Sequence, residues 1–228
     1  ARSKPCVQVR TRMGAVIDIA TTHPLFTKTG WKKGKDLQVG DRVAQMAHGG
    51  EFGDRSLPQK EAYLLGRATG HSSDCTIPQD VWEFTRDCAA AFIAGFSSGR
   101  TFGSRGAEYL SICPSASPIF IQGLKSLLLK FGIITSIVRG DAEQQGRVDL
   151  RVEAPESLAA FVRLVGVPEE GARVAAGPAG WTPERGDSPD IVWDVIDSVV
   201  AAGHEDCWDI EVQTYNNYVL DGVLSHNS

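Results

Sequence analysis

The feature that most constrains the fold is the order of residue patterns: β-like at both ends of the chain and different in the middle. Val7, Val9 and Thr11 alternate with polar neighbours, Arg12-Met13-Gly14 supplies a turn, and Ile17 and Ile19 alternate on the return. That period of two predicts a hairpin. His23-Pro24 is expected to end the second strand, because proline cannot donate to a ladder. Thr29-Gly30-Trp31 and Val39-Gly40-Asp41 read as turns, the second preceding the apolar Val43-Ala44. Gly49 to Pro58 reads as a flexible polar connector. From Ile191 the alternation returns. It predicts strands over 191–200 and 206–213 joined by Gly203-His204, then shorter ones at 217–220 and 222–225.

Between these ends the periodicity becomes helical. Residues 59–70 fit a helix, and Val81, Phe84, Cys88, Phe92 and Phe96 extend one over 79–98. Glu108 to Cys113 alternates as a strand. Ile121, Leu124, Leu127, Leu128 and Phe131 mark one face of a helix that Gly132 stops. Strands are expected at 133–139 and 147–152, and a last helix carries Leu158, Phe161, Val162 and Val165. Residues 169–190, rich in Gly, Pro and Ala, read as a linker. The expected class is mainly β with an α+β insert. Residues 1–48 and 191–228 form one β domain, 59–168 are inserted into it, and 169–190 link back.

Composition excludes several classes. Against 28 Asp+Glu there are 23 Lys+Arg, a net charge of −5, which argues against a protein that grips nucleic acid through phosphates. No apolar run reaches the roughly 18–20 residues that span a bilayer. Ala1 to Pro5 has no apolar stretch behind its basic residues, so it is not a secretory signal, and a start without Met is expected of a processed chain or a fragment. The 5 cysteines form no CxxC pair. They are too few and scattered for a disulfide framework, so a reducing, cytoplasmic setting is expected. No Gly-x-x-x-x-Gly-Lys-[Ser/Thr] phosphate loop is present, so no ATPase activity resides here.

The chemistry concentrates at the tail, His226-Asn227-Ser228. An asparagine amide can attack its own backbone carbonyl, closing a succinimide and breaking the bond to the next residue. A neighbouring histidine can protonate the leaving amine near neutral pH, and the serine beyond the break carries a hydroxyl able to accept an acyl group. Asn216 to Asn227 resembles the closing motif of inteins, self-excising protein insertions. Trp208-Asp209-Ile210-Glu211-Val212 resembles the strand before that motif, and Trp193-Asp194 the start of the C-terminal region. Gly14 to Thr27 resembles the intein motif that contains the catalytic histidine, and Thr29-Gly30-Trp31 and Val39-Gly40-Asp41 continue the pattern.

The resemblance implies a horseshoe-like Hint splicing fold built from both chain ends, and single-turnover self-processing by acyl transfers. His23 would polarise and protonate the upstream scissile amide. His226 would assist cyclisation of Asn227, Ser228 would be the downstream acyl acceptor, and Asp209 would couple the two ends. No cofactor is implied for splicing, and the partners are the host flanks, or exteins. Ala20 stands where the family has a threonine, and Asn216 where it often has a histidine; an uncharged amide cannot shuttle a proton. These departures bear on rate, not fold. Too few residues precede Gly14 for the family's first motif, so the expectation is a chain missing its N-terminal piece, with Cys6 a buried strand cysteine rather than the nucleophile. Alone it would cleave at most at Asn227–Ser228.

The middle resembles a LAGLIDADG homing endonuclease. Leu64 to Gly70 and Phe92 to Gly99 stand at its two signature helices, each with a Gly-xxx-Gly spacing (66/70 and 95/99) that permits close helix approach. Ser115-Ala116-Ser117 and the apolar helix to Ile133 resemble that family's second repeat. Where the family places the carboxylates that hold Mg²⁺, this chain has His71 and Arg100, so no metal site is expected and Mg²⁺ would matter only to an active endonuclease. Between 59 and 150 nine basic side chains meet nine acidic ones, giving no footprint for a duplex, so nucleic-acid binding is expected to be absent or weak. Two alternatives stay open: a DNA-binding or site-specific DNA-cleaving module, and a fragment of an intein-bearing host such as a replicative DNA helicase.

Overall fold

A computed structural model of the chain describes residues 2–70, 76–98, 109–114, 117–139, 148–166, 181–208, 210, 212 and 216–226. They divide into two units, one drawn from Ala1–Ala47 and Pro183–Ser228, the other from His48–Thr182.

The first unit opens with β1 (Arg2–Thr11), β2 (Val16–Ala20), β3 (Pro24–Thr27), β4 (Gly30–Lys33) and β5 (Arg42–Met46). The expected hairpin forms: β1 and β2 pair antiparallel with Val7 opposite Ile19 and Val9 opposite Ile17. β2 already ends at Ala20, and Pro24 instead opens β3, where a missing donor costs the ladder little. Gly30, at φ +104, turns β3 into β4.

The second unit contains α1 (Gln59–Gly70), α2 (Arg86–Ser97), β6 (Leu110–Pro114), α3 (Pro118–Leu129), β7 (Ser136–Arg139), β8 (Val148–Val152) and α4 (Pro155–Val165). Its antiparallel sheet runs β6-β8-β7. Ser117 caps α3, its hydroxyl accepting from the Phe120 N–H at 3.2 Å, with Pro118 in the first turn. Two expectations fail here for one reason. The helix over 79–98 is broken: a 3-10 turn covers Gln79–Glu83, and Phe84 and Thr85 are extended before α2 begins. Their main chain is engaged by residues 53–55, through Gly53 N–H to Phe84 O (3.0 Å), Arg55 N–H to Glu83 O (2.9 Å) and Thr85 N–H to Arg55 O (2.9 Å). The segment expected to be a free connector is therefore docked, with Phe52 and Leu57 packed on the core around Phe84, Phe92 and Phe120.

The chain then returns to the first unit through β9 (Glu184–Arg185), β10 (Ile191–Cys207), β11 (Asn217–Leu220) and β12 (Val223–His226). Within the linker expected over 169–190, Glu184–Arg185 form a two-residue strand of this unit, the Glu184 carboxylate pairing with Lys28 and Arg42; residues 167–180 lie outside the described residues. The two strands expected over 191–213 are, as far as Cys207, one strand of 17 residues. Gly203 (φ +81) is not a hairpin turn but part of a bulge. Cys6 faces Gly203 while Val7 faces Ala201, leaving Ala202 as the extra residue.

All pairings in this nine-stranded sheet are antiparallel, in the order β11-β12-β3-β5-β10-β1-β2, with β4 on β3 and β9 on β10. β10 pairs first with β5, from Ile191–Met46 to Val195–Arg42, and then with β1, from Ile196–Thr11 to Cys207–Arg2. One strand therefore serves both parts of the early chain. A core of Val9, Ala15, Ile17, Ile19, Leu25, Leu37, Val43, Ile196 and Val223 draws on both ends of the sequence. The expected class, mainly β with an α+β insert, is the observed one. Among the described residues no helix is long and apolar enough to cross a membrane.

Candidate functional site

His23 sits between β2 and β3, and its main chain is held from both sides. Its N–H donates to Ala20 O at 2.8 Å, and its carbonyl accepts from Gly34 N–H at 2.8 Å. Gly34 has to be glycine: a Cβ there would fall 2.9 Å from Ala20 O. The imidazole is thus placed by backbone contacts before any side chain touches it.

The tail reaches that imidazole through β12. Asp221 and Gly222, at φ 45 and 86, turn β11 into β12 as a two-residue hairpin of the kind that requires positive φ at both positions. The Asp221 carboxylate accepts from Val16 N–H at 2.9 Å, tying the tail hairpin to the first hairpin of the chain. β12 then lies along β3 and β5, Ser225 opposite Leu25 and Val223 opposite Gln45. Val223 and Ser225 face inward and are fully buried.

This register brings the Ser225 hydroxyl to 2.6 Å from His23 Nε2. The Tyr218 hydroxyl lies 3.4 Å from the same nitrogen. His226, the next residue on the strand, packs edge-on against the Trp31 ring with centroids 5.2 Å apart, and Trp31 in turn contacts Phe26. Of the histidines expected from opposite ends of the sequence, His23 therefore stands just before β3 and His226 on the neighbouring β12. Asp209, Asn227 and Ser228, and the insert positions His71 and Arg100, lie outside the described residues.

His23 and Tyr218 border a cavity of about 640 Å³ whose other walls include Lys4, Cys6, Asp18 and Cys207. Ala20 is buried at its edge, and Asn216 is exposed with φ 53, a left-handed conformation that asparagine tolerates well. Cys6 is buried in β1 with its sulfur 3.5 Å from that of Cys207. Burial, reinforced by the hydrogen bond and charge of Cys207, pushes the Cys6 thiol above its ordinary pKa. Such a group stays protonated and is a poor nucleophile. Among the described residues no group of three or more His, Cys, Asp or Glu could hold a metal ion.

Sequence reasoning missed Ser225 and Tyr218, which contact His23, and the structural role of Asp194. Asp194 is fully buried and accepts from Met13 N–H at the turn of the first hairpin. A signal for two of them was present. Val192-x-Asp194-x-Ile196 and Val223-x-Ser225 each put a polar residue on the inward face of an alternating strand, and such a group needs a partner.

The model of the intein splicing domain matches residues 1–227. The chain is 32% identical over 103 residues to the replicative DNA helicase DnaB of Rhodothermus marinus, covering 45% of this chain and 11% of that protein. It is 33% identical over 73 residues to protein RecA of Mycobacterium tuberculosis (strain ATCC 25618 / H37Rv), covering 32% of this chain and 9% of that one. The match to RecA of Mycobacterium bovis has the same extent. The aligned region is about a tenth of the length of these relatives. A sheet closed by both ends of the chain, a histidine held against the tail strand and a domain match along nearly the whole length agree: the chain belongs to the intein splicing domain family.

Proposed function

We propose that this intein releases its downstream flank by cyclisation of Asn227. The side-chain amide nitrogen of Asn227 attacks its own main-chain carbonyl carbon, forming the succinimide C–N bond. The C–N bond to Ser228 breaks, and the departing amine takes a proton delivered with the help of His226. Given an upstream nucleophile, His23 would protonate the scissile amide nitrogen as that nucleophile takes the upstream acyl group. Ser228 Oγ would then attack the same acyl carbon and form an ester while the nucleophile leaves, with Asp209 coupling the two junctions. The host flanks are the substrates. The observation that carries this reading is the 2.6 Å approach of His23 Nε2 to Ser225 Oγ, two residues before Asn227 on the tail strand. The cavity beside His23 offers room for a flanking peptide.

The test is expression of the chain with a downstream fusion. Release of the fusion is expected, with the freed intein ending in a succinimide one water lighter than the free acid. Asn227→Ala should abolish release, and His226→Ala should slow it by ~10²–10⁴-fold, the range of general acid–base contributions. Release undiminished in Asn227→Ala sinks the reading.

The insert is read as a LAGLIDADG endonuclease that has lost cleavage. Favouring kinship is the contact between α1 and α2: a Cβ on Gly66 would fall 1.9 Å from Phe92 O, and one on Gly95 1.9 Å from Tyr63 O, so the helices meet backbone to backbone. Against cleavage stand His71 and Arg100 at the metal-binding positions, since an arginine repels the cation it would have to hold. Site-specific nicking of DNA by this chain with Mg²⁺ would reverse that conclusion.

A further inference from the structure

We propose that Ser225 is a positioning residue through which His23 also governs cleavage at the tail, a second task for an imidazole otherwise assigned to the upstream junction. This rests on the Asn227 cyclisation argued above. Ser225 has no exposed surface, and β12 beside it is otherwise anchored inward by Val223. A hydroxyl in such a place is costly unless bonded, and an apolar side chain would pack there without that penalty. What the hydroxyl gains is His23: Nε2 lies 2.6 Å from Oγ, while the carbonyl of Pro24 is farther away at 3.5 Å.

Three features make this contact a support for the tail. The base of the imidazole is anchored, because the backbone of His23 is held by Ala20 and Gly34, and the Tyr218 hydroxyl lies 3.4 Å from Nε2. The strand it holds is short: β12 has 4 residues, paired along one edge with β11 and joined on the other to β3 at Ser225–Leu25 and to β5 at Val223–Gln45. On that second edge the ladder ties the tail hairpin to the rest of the sheet at those two positions, and the His23–Ser225 contact adds to them. Finally, a hydroxyl can accept from Nε2–H or donate to bare Nε2, so the link persists when the imidazole changes protonation state. Cyclisation needs the Asn227 amide nitrogen about 3–3.5 Å from its own carbonyl carbon, and a misplacement near 1 Å costs on the order of 10²-fold. Holding Ser225 against His23 fixes the point on β12 from which the chain continues to Asn227.

The test follows downstream release from the full chain in Ser225→Ala, His23→Ala, the double variant, Ser225→Thr and Asn227→Ala. Thermal unfolding and the ring-nitrogen NMR shifts of His23 are recorded alongside. Ser225→Ala should slow release by about 10–100-fold, Ser225→Thr should recover most of that loss, and the His23 ring shifts should change in Ala but not Thr. Because both residues act as one unit, the double variant should be no slower than the slower single. Wild-type release in Ser225→Ala, or slowdowns that multiply in the double variant, would overturn the proposal. If Ser225→Ala does not fold, Ser225→Cys, which keeps the volume with a weak donor, decides in its place: wild-type release there overturns the proposal and slow release supports it. A dead Asn227→Ala with a normal Ser225→Ala removes only the Ser225 role. Release that survives Asn227→Ala removes the cyclisation itself.

Discussion

The carboxylate of Asp194 accepts the main-chain N–H of Met13 across 181 positions of sequence, with oxygens at 3.1 and 3.3 Å. It thereby fastens the turn of the first hairpin to β10, in a place with no exposed surface. Asp194→Ala leaves that N–H without its acceptor, and hydrogen bonds to charged groups are worth about 1.5–3 kcal/mol. Urea unfolding should show a loss of that size, and Asp194→Asn, which keeps one acceptor, should lose less.

Gly66 and Gly95 make a separate prediction. With main-chain oxygens 1.9 Å from where a Cβ would sit, alanine at either position forces α1 and α2 apart. Overpacking of this kind costs ~1–3 kcal/mol or more. Gly66→Ala should lower the melting temperature of the inserted unit while downstream release keeps its rate.

Gln45 predicts a gain instead. It is buried in β5, and neither its amide nitrogen nor its oxygen has a hydrogen-bond partner. An apolar side chain of like shape removes an unmet desolvation cost of ~1–3 kcal/mol. Gln45→Met is expected to raise stability by about 1 kcal/mol in urea titration, and a melting temperature below that of the parent would refute it.

Cys6 gives a pH dependence. Its folded pKa is raised above the ordinary 9.0, first by burial and then by Cys207. A raised acid binds its proton more tightly when folded, so the stabilisation is complete below pH 9.0 and fades as pH climbs through the folded value. Unfolding free energy should therefore fall from pH 9 toward higher pH in the parent, and fall less in Cys6→Ala. At pH 8 an alkylating reagent should label Cys207 before Cys6.

Much of this fold was legible in the sequence. Val7, Val9, Ile17 and Ile19 spelled out the first hairpin, and α1 occupies the expected 59–70, because local periodicity and tertiary burial agree there. Gly203 misled, since a glycine at positive φ serves a bulge as well as a turn, and only the partner strand tells them apart. Phe84 misled for a similar reason. Its spacing suits a helix, but its backbone is drawn into extended pairing with Arg55, a contact no local pattern announces. At the site, motif resemblance singled out His23 and His226 in the sequence. It did not single out Tyr218, because its meeting with His23 depends on the register of β11, β12 and β3 together.

β10 leans on β5 with one half and on β1 with the other. A nascent chain that has emerged only through residue 190 lacks β10, so the β1–β2 hairpin and the β3–β4–β5 strands have no strand to join them into one sheet. The inserted unit, whose core lies wholly within earlier sequence, is free to assemble first. Synthesis order thus acts as a safety catch: the splicing sheet is completed only once the ribosome has delivered its final strands.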